Sequence, residues 1–262
     1  MRIGIVAPSC ALDRSIPDRL RALAGPAGPE FVVHPQCYLS EGHFAGPDEA
    51  RISALVDYAN DPDLDAIWFA RGGYGACRVA EAAISQLGEA ARRKCYIGFS
   101  DAGFILAGLY RAGFDQLAHG PMPSDLNRDG GEAAVRRALD WLTGDEQPRP
   151  AQPQVAFNLT VLSQLLGTSL EPDLTGHVLM VEEVAEYMYR IDRSLFHLTN
   201  NPQIRRVAGI KLGRCTAIPE NDPDFVLDEV SICQHWCERA GVAWLGRADI
   251  GHDGQNTVVP FG

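Results

Sequence analysis

A serine lies where an apolar run gives way to a helical pattern. Residues 95–103 read CYIGFSDAG, so that Ser100 follows a short strand pattern and has Gly98, Ala102 and Gly103 as small neighbours. A nucleophile elbow, in which a serine stands on a sharp strand-to-helix turn, needs neighbours without bulk. Ser100 is therefore a candidate nucleophile, although Ala102 replaces the second glycine of the strict motif. A serine that only caps the following helix would give the same pattern.

A glycine-rich loop, RGGYG at 71–75, follows another apolar run. Consecutive glycines permit positive φ and let backbone N–H groups approach an anion closely. The loop could form an oxyanion hole or a phosphate cradle, and a tight turn without a ligand would have the same composition. The loop does not match either nucleotide-binding motif. The dinucleotide-binding motif needs a third glycine where Arg78 stands, and the P-loop motif needs a Gly-Lys-Ser/Thr, which does not follow.

Two histidines in glycine-rich settings, His119 and His252, are candidates for a general base. Glu182 and Glu183 end an apolar strand pattern at 177–181, where a carboxylate can orient an imidazole. Adjacent residues of an extended strand point to opposite faces, so the two glutamates are not expected to act as a glycosidase pair. Glutamates exposed to solvent in a loop would show the same pattern.

Other signals exclude classes of function. The formal net charge of −11 provides no electrostatic surface for nucleic acid or anionic membrane, and no apolar stretch is long enough to span a bilayer. Seven cysteines without repeated spacing predict no disulfide framework and favour the cytoplasm. Cys233 and Cys237 are spaced i, i+4 on a helical pattern, which is more typical of packing than of a metal site. The acids at 220–224 lack the glycine that a calcium-binding loop needs. We expect no metal and no cofactor.

Strand and helix patterns alternate along the chain, which predicts an α/β fold. Predicted strands at 3–7, 30–34, 66–70 and 95–99 are interleaved with helices at 47–59, 78–87, 101–111 and 132–141. This order indicates a mostly parallel sheet flanked by helices. A smaller C-terminal α/β or β-rich domain follows, with helices at 159–166, 189–198 and 228–240. The predicted domains are 1–144 and 156–262, with a proline-rich linker at 145–155.

Seven motifs occur in the order seen in LD-carboxypeptidases, which are serine peptidases that trim murein peptides, and the resemblance spans nearly the whole chain. They are RGGYG at 71–75, IGFSD at 97–101, HGPM at 119–122, LGT at 166–168, EEV at 182–184, YRIDR at 189–193 and GH at 251–252. The resemblance implies an active site between an N-terminal domain with the serine and a C-terminal domain with the acid and the base. It also implies a homodimer.

The resemblance implies a role for each candidate residue. Ser100 resembles the nucleophile, His252 the general base and Glu182 the acid that orients it. The oxyanion hole is expected from the backbone N–H of Asp101 and of a glycine of the loop. That glycine is Gly72 or Gly73, and the candidates for substrate binding are Arg71, Tyr74 and Arg193.

The chain departs from the family pattern at two motifs. Ala156-Phe157 stands where the family usually has two glycines, and Glu182-Glu183 replaces the usual Glu-Asp pair. The expected activity is release of a C-terminal D-amino acid from an L,D peptide bond, with D-Ala of murein tetrapeptide as the foremost candidate. One alternative is hydrolysis of peptidyl- or aminoacyl-nucleotides, as in the microcin C self-immunity relative. Another is a non-catalytic module that binds a phosphorylated ligand.

Overall fold

The computed structural model describes residues 1–144 and 150–262, and its strands form two sheets. The strands are β1 Arg2–Val6, β2 Glu30–Val33, β3 Ala66–Phe69, β4 Cys95–Gly98, β5 Leu117–His119, β6 Gln154–Asn158, β7 Val178–Val184, β8 Gly209–Thr216, β9 Trp244–Arg247 and β10 Val259–Pro260. In the described ranges, the first sheet has the order β10–β5–β4–β3–β1–β2 and the second β6–β7–β8–β9. All pairs are parallel except β10 with β5.

Helices cover both faces of the first sheet. The helices are α1 Ile16–Ala24, α2 Asp48–Asn60, α3 Ala76–Ile84, α4 Glu89–Arg92, α5 Gly103–Arg111, α6 Gly131–Thr143, α7 Leu159–Leu165, α8 Met188–Asn200 and α9 Glu229–Ala240. Ile5 and Trp68 pack with α1 and α6, whereas Val6 and Phe69 pack with α2, α3 and α5. Strands that are buried on both faces consist mainly of apolar residues, which explains why these strands could be predicted from the sequence.

The order of the first sheet reverses at β1, which pairs with β2 on one side and β3 on the other. Open α/β sheets bind ligands at such a reversal, beyond the carboxyl ends of the strands. The loops that follow β1 and β3 both leave the sheet at this edge, and β4 ends beside them. The glycine loop and Ser100 are therefore brought to the same edge by the topology.

The second sheet shares an apolar core with the first. Phe157 of β6 and Leu179 of β7 belong to the same buried cluster as Tyr96 and Phe104 of the N-terminal part. The end of the chain returns to the first sheet, where β10 pairs with β5, although these residues lie in the predicted C-terminal domain 156–262. The two parts of the chain are thus joined by a continuous core and by the last strand.

The predicted α/β class is confirmed, with a parallel α/β arrangement in the second sheet too. The sequence prediction did not include α1, α4, β5 or β6. β6 begins at Gln154, inside the predicted linker 145–155, because Pro153 precedes the strand and does not interrupt its ladder. Residues 145–149 of that linker lie outside the described residues. In the described ranges no helix has the length and apolar character needed to cross a membrane.

Candidate active site

Ser100 follows β4 and opens a 3₁₀ turn, Ser100–Ala102, that leads into α5. Its φ of +57° lies in the left-handed region, which side chains disfavour. The turn is tight, because a Cβ added at Gly98 would lie 2.8 Å from the Phe69 ring and 3.2 Å from the Ala102 Cβ. Ala102 holds the N-cap position of α5, so Ser100 does not cap that helix. The turn has the shape of a nucleophile elbow, and the interpretation of Ser100 as a helix cap is wrong.

The glycine loop at 71–75 joins β3 to α3 and packs against the serine. A Cβ at Gly72 would lie 3.0 Å from Ser100 Oγ. Gly73 and Gly75 have φ values of +119° and +130°, a conformation that glycine adopts readily. Within the described residues, neither Gly72 nor Gly73 donates its backbone N–H to a protein acceptor. These N–H groups are therefore available to an anionic oxygen beside Ser100.

Two buried charged side chains hold this loop from behind. The Asp101 carboxylate accepts hydrogen bonds from Ser9 Oγ at 2.5 Å and from the backbone N–H of Ala76 at 2.8 Å. Burial raises the pKa of the Asp101 carboxyl. Arg51 donates to the Gly75 carbonyl oxygen at 2.9 Å. Since Asp101 directly follows the serine, the loop and the serine turn are fixed relative to each other.

The imidazole of His252 meets the carboxylate of Glu182 in the interior. His252 Nδ1 lies 2.6 Å from Glu182 Oε2, and the two side chains are 4% and 0% exposed. A carboxylate only accepts, so Nδ1 carries the proton and Nε2 is the basic nitrogen. The His252 ring packs on Phe99, with ring centroids 4.8 Å apart. The acid thus orients the ring immediately beside the residue that precedes Ser100.

Glu183 points to the opposite face of β7, as the alternation of a strand predicts. Its carboxylate accepts from Asn158 Nδ2 at 2.7 Å, from Thr160 N and Oγ1 at 2.9 and 2.7 Å, and from the Val184 N–H at 2.9 Å. Burial raises the pKa of this carboxyl, which the hydrogen bonds oppose. Glu183 therefore anchors the start of α7. By contrast, the hydrogen bond of Glu182 in the described residues is the one that Oε2 makes with His252, and its buried Oε1 has no partner there.

Two arginines of the N-terminal part hold the loop that carries His252. Arg128 donates to the His252 carbonyl oxygen at 2.6 Å. Arg137 donates to the carbonyl oxygens of Gly254 and Asn256, at 2.5 and 2.9 Å. The histidine loop is thus fixed by contacts between the two parts of the chain.

Ser100 and His252 line one cavity of about 470 Å³. Gly72 and Gly73 form part of its wall, and Arg71 and Arg128 bring positive charge to it. Within the described residues, no hydrogen bond joins Ser100 to His252. The cavity places a hydroxyl, a basic nitrogen and backbone donors around one space. This set of groups is the one that acyl transfer requires.

The residues predicted from the sequence to bind substrate line different cavities. Tyr74 is half-exposed and lines a second cavity, of about 690 Å³, which also reaches Ser100. Arg193 lines a third cavity, of about 290 Å³, with Arg190 and His197; it adjoins the second cavity, but Ser100 is not part of its wall. The structure therefore brings Arg71 and Tyr74 to the serine but not Arg193.

His119, the other candidate base, is excluded by its surroundings. It is completely buried, and burial together with the nearby His252 lowers its pKa to about 3. Its ring also packs on Phe99, with ring centroids 5.4 Å apart. A histidine that stays neutral at every ordinary pH and lines no cavity near Ser100 is a core residue.

Sequence reasoning missed part of the cavity wall. The lining residues that were not among the candidates are Asp13, Met122, Ser124, Asn127, Arg128 and Val184. Four of them follow β5, a strand of three residues that is too short to show periodicity, and their contacts are non-local. Among the described residues, no group of three or more His, Cys, Asp or Glu side chains could hold a metal ion.

Comparison with known proteins decides the family. Residues 3–120 match the model for the LD-carboxypeptidase N-terminal domain, and residues 154–262 match the model for the LD-carboxypeptidase C-terminal domain. This chain belongs to the LD-carboxypeptidase family. The resemblance found in the sequence motifs is confirmed, and the protein is a member of a peptidase family.

Relatives support the same assignment. The murein tetrapeptide carboxypeptidase of Pseudomonas aeruginosa is 26% identical, over 100% of this chain and 91% of that protein. A Synechocystis sp. protein, named only provisionally as a carboxypeptidase, is 33% identical over 88% of this chain and 79% of its own length. The chain is thus similar to carboxypeptidases along nearly its whole length.

Solved structures share the fold of this LD-carboxypeptidase family member. The muramoyltetrapeptide carboxypeptidase of Oxalobacter formigenes superposes with a TM-score of 0.84 at 21% identity, covering 100% of this chain and 93% of that one. The microcin C7 self immunity protein in complex with aspartyl sulfamoyl adenosine superposes with a TM-score of 0.81 at 16% identity, covering 100% and 91%. At these identities the comparison shows a common fold.

Proposed function

We propose that this protein is a serine carboxypeptidase that cleaves an L,D peptide bond and releases a C-terminal D-amino acid. The observation that carries the proposal is the buried hydrogen bond of 2.6 Å between Glu182 and His252, with His252 lining the same cavity as Ser100. A serine, an oriented histidine and a buried acid form the group that activates a hydroxyl for attack on a carbonyl.

The proposed reaction proceeds through an acyl-enzyme. Ser100 Oγ attacks the scissile carbonyl carbon while His252 Nε2 takes the hydroxyl proton, and Glu182 stabilises the imidazolium. Backbone N–H groups of Asp101 and of Gly72 or Gly73 bind the oxyanion of the tetrahedral intermediate. The C–N bond then breaks, and His252 gives its proton to the departing amine. A water molecule, deprotonated by the same imidazole, hydrolyses the ester and restores Ser100.

D-Ala of murein tetrapeptide is the proposed leaving group. The support comes from relatives along the whole chain, among them the murein tetrapeptide carboxypeptidase of Pseudomonas aeruginosa. Use of this activity in cytoplasmic recycling of murein peptides, and a homodimeric state, stay predictions. The proposal requires no cofactor.

Mass spectrometry of murein peptides tests the proposal. Tripeptide, tetrapeptide and pentapeptide are incubated separately with the wild type and with Ser100→Ala, after thermal unfolding has shown that both are folded. We expect the tetrapeptide to lose one alanine with the wild type and to stay intact with Ser100→Ala. Tetrapeptide left intact by the wild type, or shortened equally by Ser100→Ala, would contradict the proposal.

Hydrolysis of aminoacyl-nucleotides is the second candidate. The observation in its favour is Tyr74, whose half-exposed ring lines the larger cavity beside Ser100 and could stack on a base. Cleavage of a nucleotide conjugate, with the tetrapeptide untouched, would select this candidate. Tyr74→Leu should then raise the KM for the conjugate and leave small ester substrates unaffected.

A further inference from the structure

Arg128 lies in the cavity of Ser100 and His252 and is held at two points. Its Nε donates to Asp125 Oδ1 at 2.7 Å, and its Nη1 donates to the His252 carbonyl oxygen at 2.6 Å. We propose that Arg128 binds the C-terminal carboxylate of the peptide substrate while it holds the His252 loop in place. This inference rests on the proposed carboxypeptidase function, because an exopeptidase must recognise the end of its substrate chain.

The guanidinium group of Arg128 keeps donors for a ligand. A guanidinium has five N–H groups, and the two hydrogen bonds just described use two of them. The planar arrangement of the others matches a carboxylate, which arginine commonly binds through two parallel hydrogen bonds. Arg128 can therefore bind a carboxylate without giving up either of its present contacts.

The position of Arg128 is set before a substrate arrives. Asp125, its partner, is 3% exposed and accepts a hydrogen bond from the Met122 backbone N–H at 2.8 Å. A side chain fixed in this way loses little conformational freedom when it binds. The same fixing places the guanidinium relative to His252, so that a bound carboxylate lies at a defined distance from the reacting groups.

The other arginines considered for this role are less suited to it. Arg71 lines the same cavity, but the hydrogen bond that it makes within the described residues is a 3.3 Å contact with the Ala11 carbonyl oxygen, whereas Arg128 makes two shorter ones. Arg193 lines a different cavity, and its guanidinium lies 5.7 Å from the centre of the Tyr189 ring. Of the arginines that line this cavity in the described part of the chain, Arg128 is the one that contacts the histidine loop.

The charges around Ser100 agree with this orientation of the substrate. The cavity of Arg128 is lined by two arginines and one acid, Asp13, so that with Asp125, the partner of Arg128, its positive and negative charges are equal in number when His252 is neutral. In the described residues the second cavity at Ser100 is lined by acids that include Glu81 and Glu186, and by no lysine or arginine. A terminal carboxylate is therefore favoured on the Arg128 side, with the rest of the peptide on the acidic side.

Arg137 provides a matched control. It donates to two carbonyl oxygens of the same histidine loop, as Arg128 donates to one, but it does not line the cavity. Replacing Arg137 should therefore loosen the loop without removing a contact to the substrate. The two roles proposed for Arg128 can be separated by comparing these variants.

The test compares murein tetrapeptide with its C-terminal amide, which differs only in the carboxylate. The kcat/KM for both peptides is measured with the wild type, Arg128→Gln, Arg128→Lys, Arg137→Gln and Arg71→Gln, each checked by thermal unfolding. We expect the wild type to prefer the free acid by about 10- to 100-fold, the usual contribution of hydrogen bonds to a charged group. Arg128→Lys keeps a positive charge beside Asp125 and should keep part of the preference.

The outcomes separate this inference from the proposed function. Loss of the preference in Arg128→Gln, together with an equal decrease for both peptides in Arg137→Gln, supports the role of Arg128. A preference that persists in Arg128→Gln, or that disappears in Arg71→Gln instead, overturns it. If the wild type hydrolyses neither peptide, the proposed function fails and this inference fails with it.

Discussion

Gly73 packs against Cys10 so closely that a larger residue does not fit at position 73. A Cβ on Gly73 would lie 2.3 Å from the Cys10 sulfur, and the φ of +119° disfavours any side chain. Cys10 is buried, and its sulfur lies 3.4 Å from His43 Nε2, so it cannot withdraw freely. The thiol therefore restricts the position of the loop backbone at Gly73, which lines the cavity of Ser100.

Gly73→Ala is expected to lower kcat by about 10²- to 10³-fold with a smaller change in KM, because it displaces a backbone N–H that we propose as a donor to the oxyanion. Steady-state kinetics with murein tetrapeptide measure both constants. Gly25→Ala is the control, since Gly25 also has a positive φ, +75°, but has open space where its Cβ would lie. It should cost about 1 kcal/mol of stability and keep the wild-type kcat.

A second substitution checks the cause of this loss. Adding Cys10→Ala to Gly73→Ala removes the sulfur that the new Cβ would meet, so part of the lost kcat should return. A Gly73→Ala variant with wild-type kcat would show that the N–H of Gly73 is not needed.

Replacing each of the adjacent glutamates separates the acid that orients the histidine from the structural one. Glu182→Gln should lower kcat by about 10³- to 10⁴-fold, because an amide no longer stabilises the imidazolium. Glu183→Gln should reduce stability by about 1–3 kcal/mol through lost hydrogen bonds to the start of α7, with kcat changed less than about tenfold. Urea unfolding and kinetics on both variants measure the two effects. Equal losses of kcat would contradict the division of roles.

The parts of the site that depend on residues close together in the chain could be predicted from the sequence. The small residues around Ser100 are needed because Gly98 packs on Phe69, and such a steric demand leaves a visible composition. The opposite directions of Glu182 and Glu183 follow from strand alternation alone. Fold class was equally accessible, since strands buried on both faces are apolar without interruption.

The parts that depend on distant contacts could not be found in this way. Nothing near Arg128 or Arg137 in the sequence indicates that they hold the loop of His252, because these contacts join residues more than 100 positions apart. The choice of His252 over His119 came from the family resemblance. In the structure both rings are buried, and the decisive difference is that His252 contacts the Glu182 carboxylate and lines the cavity of Ser100, which no local pattern expresses.

The strained backbone of Ser100 predicts a gain of stability in an inactive variant. At φ +57° a side chain costs about 1–2 kcal/mol relative to glycine. Ser100→Gly should therefore be about 1 kcal/mol more stable than Ser100→Ala, while both variants lack activity. Urea unfolding of the two proteins gives the difference, and equal stabilities would mean that the turn relaxes without strain.

His119 predicts a loss of stability in mild acid. Its pKa is about 3 in the folded protein, against 6.5 for an unperturbed histidine, because the ring is completely buried. Below pH 6.5 the unfolded chain binds a proton that the folded protein does not, so this histidine destabilises the fold by about 1.4 kcal/mol for each pH unit down to about pH 3. Between pH 7 and pH 5 the wild type should lose about 2 kcal/mol more than His119→Gln. Urea unfolding at both pH values measures this difference, and His235→Gln, at an exposed histidine, should follow the wild type. If His119→Gln loses as much stability as the wild type, the buried ring is not the source of the acid sensitivity.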